Sequence, residues 1–116
     1  MEKFDITICG YGPVGSTFAG LMGKLGHKVL VIEKNIGPSP TARAINTDGE
    51  QLRTFDKLGI AEKVVENSSE IHRVHFGDAN LNPIQTIDQP VGVSAMGWPN
   101  QVLFYQPELE GFIRSS

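Results

Sequence analysis

The feature that most constrains the fold of this chain is a glycine-rich turn at residues 10–15 (GYGPVG). Residues 5–9 before it form a short segment rich in β-branched residues, which predicts a strand. In residues 13–25 apolar side chains recur at helical spacing, and Gly26 supplies a C-terminal stop, so a helix follows. Residues 28–33 (KVLVIE) predict a second strand that is apolar enough to be covered on both faces, as in a parallel sheet. The chain is therefore predicted to open with a βαβ unit.

The turn fits the pattern G-x-G-x-x-G, and its place between a strand and a helix is typical of dinucleotide-binding units. In such units Gly10 permits the tight turn, Gly12 lets the backbone approach a pyrophosphate, and Gly15 lets the helix pack closely on the strand. Pro13 and Val14 then begin a helix whose first N–H groups are unpaired and carry partial positive charge. This end suits an anion, although a tight turn without a ligand is the alternative interpretation.

An acidic residue ends the second predicted strand. Glu33 lies about 20 residues beyond the glycines, where a carboxylate accepts hydrogen bonds from a ribose 2′-hydroxyl. A 2′-phosphate at that place would be repelled, so the pattern argues against NADP. Alternatively, Glu33 and its neighbour Lys34 are ordinary surface residues at a strand end. These residues predict dinucleotide binding, but they do not separate FAD from NAD.

A helical hairpin is predicted after a loop. Residues 35–41 contain Gly and Pro at spacings that permit neither a helix nor a strand ladder. Thr47 or Asp48 can then cap a helix that Gly59 ends, and residues 60–65 predict a shorter second helix.

The second half of the chain is predicted to form antiparallel strands at residues 71–76, 84–87 and 102–105. Residues 107–114 predict the first turns of a helix, and we expect the chain to stop within it, as a truncated gene product, a proteolysed piece or an expressed fragment would. The predicted fold class is therefore α/β: a Rossmann-like βαβ unit, a helical hairpin and the start of an antiparallel sheet, in an incomplete domain.

Bulk properties exclude several classes of protein. With 116 residues the chain holds no complete second domain, and 40% hydrophobic and 20% charged residues are typical of an ordinary globular protein. The net charge of -3 gives no basic field for nucleic acid, and no apolar run is long enough to cross a bilayer. The single cysteine, Cys9, forms no intrachain disulfide, so a cytoplasmic location is expected. We also expect Cys9 to be a small buried hydrophobe at the end of its strand.

Three further residues are weaker candidates for chemistry. His72 and His75 fall in one predicted strand, where their spacing places them on opposite faces, so no metal site is predicted. Trp98 lies in a bend rich in Gly and Pro, where a packing role is at least as well supported as stacking on a ligand. No catalytic residue is predicted from the sequence.

A family resemblance extends over essentially the whole chain. It is carried by the glycine turn at residues 10–15, by 31–34 (VIEK), by 41–45 (TARAI), by 97–99 (GWP) and by 106–110 (QPELE). In this order the segments resemble the class A flavoprotein aromatic hydroxylases, and they are most similar to the branch of 3-(3-hydroxyphenyl)propionate hydroxylase and phenol hydroxylase.

The resemblance implies that FAD is the cofactor and that NAD(P)H is a transient reductant. It implies that Arg43 reaches the FAD pyrophosphate or ribityl region and that Gln106 contacts the ribityl chain or the flavin edge. From the residues alone, the solvated loop arginine is the favoured interpretation of Arg43. The alternative interpretation of Gln106 is a residue that caps the last helix. The resemblance further implies oxygen-dependent hydroxylation of a phenolic compound, as in aromatic catabolism, and a homodimeric parent.

The family's later Asp-Gly and Gly-Asp segments and most of its substrate-binding sheet are missing from the sequence. We therefore expect residues 1–116 to be the N-terminal part of a FAD-binding domain that is inactive by itself. Two other hypotheses remain open. One is a stand-alone, non-enzymatic dinucleotide-binding module, and the other is part of an NAD-dependent dehydrogenase. The dehydrogenase is disfavoured because the helical hairpin and Arg43 occupy the place of a third parallel strand.

Overall fold

The computed structural model describes residues 1–116 and opens with the predicted βαβ unit. Strand β1 spans Ile6–Cys9, helix α1 spans Pro13–Lys24 and strand β2 spans Val29–Ile32. The two strands pair in parallel, with Ile6 opposite Val29 and Cys9 opposite Ile32. Pro13 fits the first turn of α1 because its missing N–H would have no partner there.

The predicted helical hairpin is confirmed as α2 (Gly49–Lys57) and α3 (Ala61–Glu66). The Asp48 carboxylate caps α2 by accepting a hydrogen bond of 2.9 Å from the Gln51 N–H. Gly59 separates the helices at a φ of +76°, a left-handed conformation that favours glycine. A short strand, β3 (Asn46–Asp48), precedes α2 where the sequence predicted none.

The remaining strands are antiparallel, as predicted, but they form two sheets. Strands β4 (Ser69–Glu70) and β3 both pair with β7 (Gln101–Leu103), which lies between them. Strands β5 (Arg73–Gly77) and β6 (Pro83–Asp88) form a separate hairpin. The strand predicted at residues 71–76 is β5, which begins two residues later than predicted, so His72 lies outside it.

The core lies between the helical hairpin, β7 and the last helix, α4 (Gln106–Arg114). Nine buried apolar residues form it: Leu52, Phe55, Leu58, Ile60, Ala61, Val64, Val102, Leu109 and Ile113. Trp98 packs partly buried against this cluster, which supports its predicted packing role. Helix α4 also packs against α1, so the core fixes α4 beside the glycine turn.

Two burial predictions are wrong. Strand β2 was predicted to be covered on both faces, but β1 and β2 form a two-stranded sheet that α1 covers on one face. Ile32 is therefore 54% exposed. Cys9 is exposed for the same reason and is not a buried hydrophobe. Three apolar side chains of the α1 region, Val14, Phe18 and Leu25, are also exposed. None of the four helices combines the length and apolar character that a bilayer span requires.

Candidate functional site

The glycine turn brings the backbone of β1 onto the first turn of α1. Gly10 has a φ of +101°, which turns the chain sharply after the strand. A Cβ atom at Gly15 would lie 2.2 Å from the Gly10 carbonyl oxygen and 3.4 Å from Ile8 Cγ2. The turn therefore exists in this form only because residue 15 has no side chain.

The N-terminus of α1 is open. Gly12 is the N-cap residue, and no side chain caps the helix. The N–H groups of Gly12, Val14 and Gly15 have no acceptor in the chain, and Pro13 has no N–H. A Cβ atom at Gly12 would meet no atom within 4 Å. This end of the helix therefore presents unpaired donors to a space large enough for a ligand, which is the arrangement that binds phosphate.

The Glu33 carboxylate is tied to the same turn. Its Oε2 accepts a hydrogen bond of 2.7 Å from the Tyr11 N–H, and its Oε1 accepts one of 2.8 Å from the Asn35 N–H. These two bonds, the Tyr11 bond first, lower the pKa of Glu33 below the ordinary value of 4.5, and the Arg114 charge adds to the effect. Glu33 is therefore ionised at neutral pH, and it joins the end of β2 to the glycine turn.

The pH dependence of stability tests this link. Because the folded chain lowers the pKa of Glu33, the stabilisation is complete above the ordinary value of 4.5 and is lost as pH falls through the lowered folded value. We expect the melting temperature of Glu33→Gln to lie below that of the parent at neutral pH and to converge with it in acid. Melting curves from about pH 7 to about pH 3 measure this difference. Glu62→Gln, an exposed carboxylate change on α3, is the control; a Glu33 difference that is constant with pH would contradict the prediction.

Gln106 holds the Arg43 segment. The Gln106 Oε1 atom accepts hydrogen bonds of 2.7 Å from the Arg43 N–H and 2.9 Å from the Ala44 N–H. Its Nε2 donates to Glu110 Oε1 at 2.8 Å. Tyr105, not Gln106, is the N-cap residue of α4. The buried Gln106 amide is thus engaged with the segment, while the Arg43 side chain is exposed.

These parts line one cleft of about 500 Å³, which we call the glycine-loop cleft. Its lining residues are Tyr11, Gly12, Pro13, Val14, Glu33, Lys34, Asn35, Gly37, Ser39, Arg43, Ala44, Gln106, Glu110 and Arg114. All predicted cofactor-binding residues except Gly10 and Gly15 are among them. Those two glycines belong to the turn itself, and they line a neighbouring cleft together with Gly12, Pro13 and Val14.

The cleft is cationic in a chain whose net charge is -3. Its charged lining residues are three cations and two carboxylates: Lys34, Arg43, Arg114, Glu33 and Glu110. A second cleft, of about 350 Å³ between α1, β3 and α2, also includes Pro13 and Val14 but has no charged lining residue. An anionic ligand therefore fits the glycine-loop cleft, with its charge at the open end of α1.

Sequence reasoning missed half of the lining residues of this cleft: Tyr11, Asn35, Gly37, Ser39, Ala44, Glu110 and Arg114. For Glu110 and Arg114 a signal was available, because with Gln106 they recur every four residues just before and within the helix predicted at residues 107–114. No group of three or more His, Cys, Asp or Glu side chains is arranged to hold a metal ion.

Comparison with known proteins decides between FAD and NAD as the cofactor of this chain. The FAD binding domain family matches residues 3–115. This chain belongs to that FAD-binding family. FAD is thus the cofactor to test against the cleft, and the dehydrogenase hypothesis is disfavoured. The sheet agrees, because β3 pairs with β7 and adds no third strand to the parallel pair.

The FAD-binding chain is similar to several curated hydroxylases. It is 38% identical over 116 residues to a probable NADH-specific resorcinol 4-hydroxylase of Rhodococcus jostii, covering 97% of this chain and 21% of that protein. It is 34% identical over 109 residues to a 3-(3-hydroxy-phenyl)propionate/3-hydroxycinnamic acid hydroxylase of Escherichia coli, covering 94% and 19%. The chain thus spans about a fifth of the length of the curated relatives it matches.

Solved structures show the same fold. The p-nitrophenol 4-monooxygenase PnpA of Pseudomonas putida matches with a TM-score of 0.84 and 25% identity, covering 99% of this chain and 29% of PnpA. The flavin-dependent monooxygenase PieE, solved with FAD and substrate, matches with a TM-score of 0.76 and 21% identity, covering 97% and 21%. The predicted α/β fold class and the predicted family are thus confirmed.

The residues present fit FAD. A dinucleotide needs donors for its pyrophosphate and an acceptor for its ribose hydroxyls. The cleft has the free N–H groups of α1 and the Arg43 cation for the first, and the ionised Glu33 for the second. The space beside Gly12 leaves the backbone accessible to a phosphate.

Proposed function

We propose that residues 1–116 form the N-terminal part of the FAD-binding domain of a flavin-dependent monooxygenase that hydroxylates a phenolic compound with NAD(P)H and O2. The observation that carries the proposal is the cleft itself, which combines an open helix N-terminus, Glu33 and the Arg43 segment. The printed names of the relatives, a resorcinol 4-hydroxylase and a 3-(3-hydroxy-phenyl)propionate hydroxylase, support an aromatic substrate.

Each cleft residue has a role in this proposal. Glu33 accepts hydrogen bonds from the ribose hydroxyls of the adenosine half. The free N–H groups at the start of α1 donate to the pyrophosphate, with Pro13 and Val14 against it, and Arg43 and Lys34 supply positive charge. Gln106 holds the Arg43 segment in place on the ribityl side of the site. Bound FAD supplies the redox chemistry, while these residues bind and orient it.

The proposal extends to the setting of the parent protein. We propose that the parent is a cytoplasmic homodimer and that most of the residues that bind its phenolic substrate lie outside this chain. Hydroxylation is not expected of residues 1–116 alone. Sustained substrate-dependent NAD(P)H oxidation by the purified chain would overturn this part of the proposal.

A second candidate is a stand-alone dinucleotide-binding module without enzymatic activity. It is favoured by the buried core of nine apolar residues, which the chain forms from its own elements beside the cleft. The test is made on a chain of this length isolated from its natural source. Tight FAD binding without any NAD(P)H oxidation would then favour the stand-alone module over the monooxygenase.

The Arg43 side chain gives the most direct test of the proposed pyrophosphate site. Arg43→Gln removes one exposed cation of the cleft without breaking an ion pair or core contact. We expect its Kd for FAD to rise about tenfold, because charge-assisted hydrogen bonds to phosphate are among the stronger polar contacts. Arg73→Gln, the same change on the remote β5–β6 hairpin, should leave Kd unchanged. Fluorescence titration with FAD measures both, and equal affinities for Arg43→Gln and the parent would contradict the assignment.

A further inference from the structure

Helix α4 carries a row of polar side chains on its buried face. Gln106, Glu110 and Arg114 lie four residues apart and so share one face of the helix. Glu110 is 1% exposed and Gln106 is 5% exposed. Burying a carboxylate is costly unless it is paired, and an apolar residue there would extend the core without that cost. Packing of α4 therefore does not explain this row.

The row is continuous. Gln106 Nε2 donates to Glu110 Oε1 at 2.8 Å, and Arg114 Nη2 lies 3.5 Å from Glu110 Oε2. Glu110 therefore has one partner on each carboxylate oxygen. It is the centre of the row and connects its two ends.

The two ends of the row reach two different walls of the glycine-loop cleft, the Arg43 segment and the glycine turn. At one end the Gln106 amide oxygen accepts from the Arg43 and Ala44 N–H groups. At the other end Arg114 Nη2 donates to the Tyr11 carbonyl at 2.7 Å, and the guanidinium stacks 4.6 Å from the centre of the Tyr11 ring. Residues far apart in sequence are thus joined through one face of α4.

The state of the Arg114 guanidinium points to a positioning role. Its Nε is buried and has no hydrogen-bond partner. Leaving a buried donor unpaired is unfavourable. The contacts to Tyr11 and Glu110 therefore hold the guanidinium in a position where its Nε–H makes no hydrogen bond.

We propose that Glu110 and Arg114 are positioning residues of the FAD site, and that the Gln106–Glu110–Arg114 row sets the separation of the glycine turn from the Arg43 segment. The inference rests on the proposed function, because a pyrophosphate contacts both walls and is sensitive to their separation. Adenosine, which needs only the wall that carries Glu33, is not sensitive to it.

Glu110→Leu tests the proposal, with Glu108→Leu as the matched control on the exposed side of the same helix. We expect Glu110→Leu to raise the Kd for FAD about tenfold and to leave the Kd for adenosine unchanged, while Glu108→Leu changes neither. Arg114→Met removes the contacts of the row to Glu110 and Tyr11 and should raise the Kd for FAD by a similar factor. Arg114→Lys should restore part of the lost affinity. Because the links act in series, the double variant Glu110→Leu/Arg114→Met should bind FAD no worse than the weaker single variant. Additive losses, or equal losses for FAD and adenosine, would overturn the proposal.

Amide hydrogen exchange without ligand separates this proposal from the proposed function. In Glu110→Leu the Ala44 and Tyr11 amides should exchange about tenfold faster, while the core amide of Val64 is unchanged. If the parent fails to bind FAD but these amides exchange faster in Glu110→Leu, the proposed function fails and the positioning row stands. If the parent binds FAD and the variant shows parental affinity and parental exchange, the row is overturned and the function stands.

Discussion

The Gly12→Asp chain is expected to be at least as stable as the parent and to lose FAD binding. Gly12 is an N-cap residue with φ of −77° and ψ of −167°, and no side chain caps α1. Aspartate is a preferred N-cap residue, and a Cβ at this position meets no protein atom within 4 Å, so a gain of a few tenths of a kcal/mol is expected. The new carboxylate occupies the open end of the helix and repels the pyrophosphate, which raises the Kd for FAD about 100-fold or more.

Gly12→Asn separates charge from shape in this experiment. Asparagine has the size of aspartate and caps helices as well, but it carries no charge. We expect it to weaken FAD binding by steric exclusion alone, and so by less than aspartate does. The difference in Kd for FAD between the two variants should become smaller as the salt concentration is raised, since screening weakens repulsion between exposed charges. A Gly12→Asp chain that is folded and binds FAD as the parent does would exclude this end of α1 as the phosphate site.

Gly15→Ala is expected to have the largest effect on stability of any single change in the glycine turn. The added Cβ would lie 2.2 Å from the Gly10 carbonyl oxygen, so β1 and α1 must move apart. Overpacking against backbone costs about 2–3 kcal/mol, which exceeds the helix propensity gained by alanine. Because the same movement displaces the first turn of α1, FAD binding should be lost with it.

Gly23→Ala is the matched control for that change. Gly23 lies near the other end of α1, and a Cβ there meets no atom within 4 Å. Alanine in this place should stabilise the chain by about 0.5–1 kcal/mol. Thermal or urea unfolding of the two variants gives both values. Equal stability of Gly15→Ala and Gly23→Ala would show that the close contact at Gly15 does not constrain the turn.

The parts of the fold and site that depend on local patterns could be predicted from the sequence. The βαβ unit follows from the change of periodicity around residues 10–15. A cap of α2 at Thr47 or Asp48 follows from the place of these residues before an amphipathic helix, and the structure selects Asp48. The cleft residues near the glycine turn and Glu33 lie close in space because parallel strands end at the same edge of their sheet.

The features that depend on distant partners could not be predicted. Cys9 and Ile32 lie in segments whose composition is typical of buried strands, but burial on both faces requires a second covering layer. Helix α1 packs on these strands, while Cys9 and Ile32 stay exposed. Strand β3 is three residues long and exists because it pairs with β7, which lies more than fifty residues later. The Gln106 contacts to the Arg43 segment likewise join residues with no local signal in common.

Titration of the purified chain with FAD, followed by flavin fluorescence and by thermal stability together, tests the central claim most directly. ADP and NADH serve as comparators. We expect saturable FAD binding that raises the melting temperature, weaker binding of ADP, and no preference for NADH, because the cleft combines the open end of α1, Glu33 and the Arg43 segment. A folded chain that binds no FAD, or that prefers NADH, would contradict the assignment of this cleft as a FAD site.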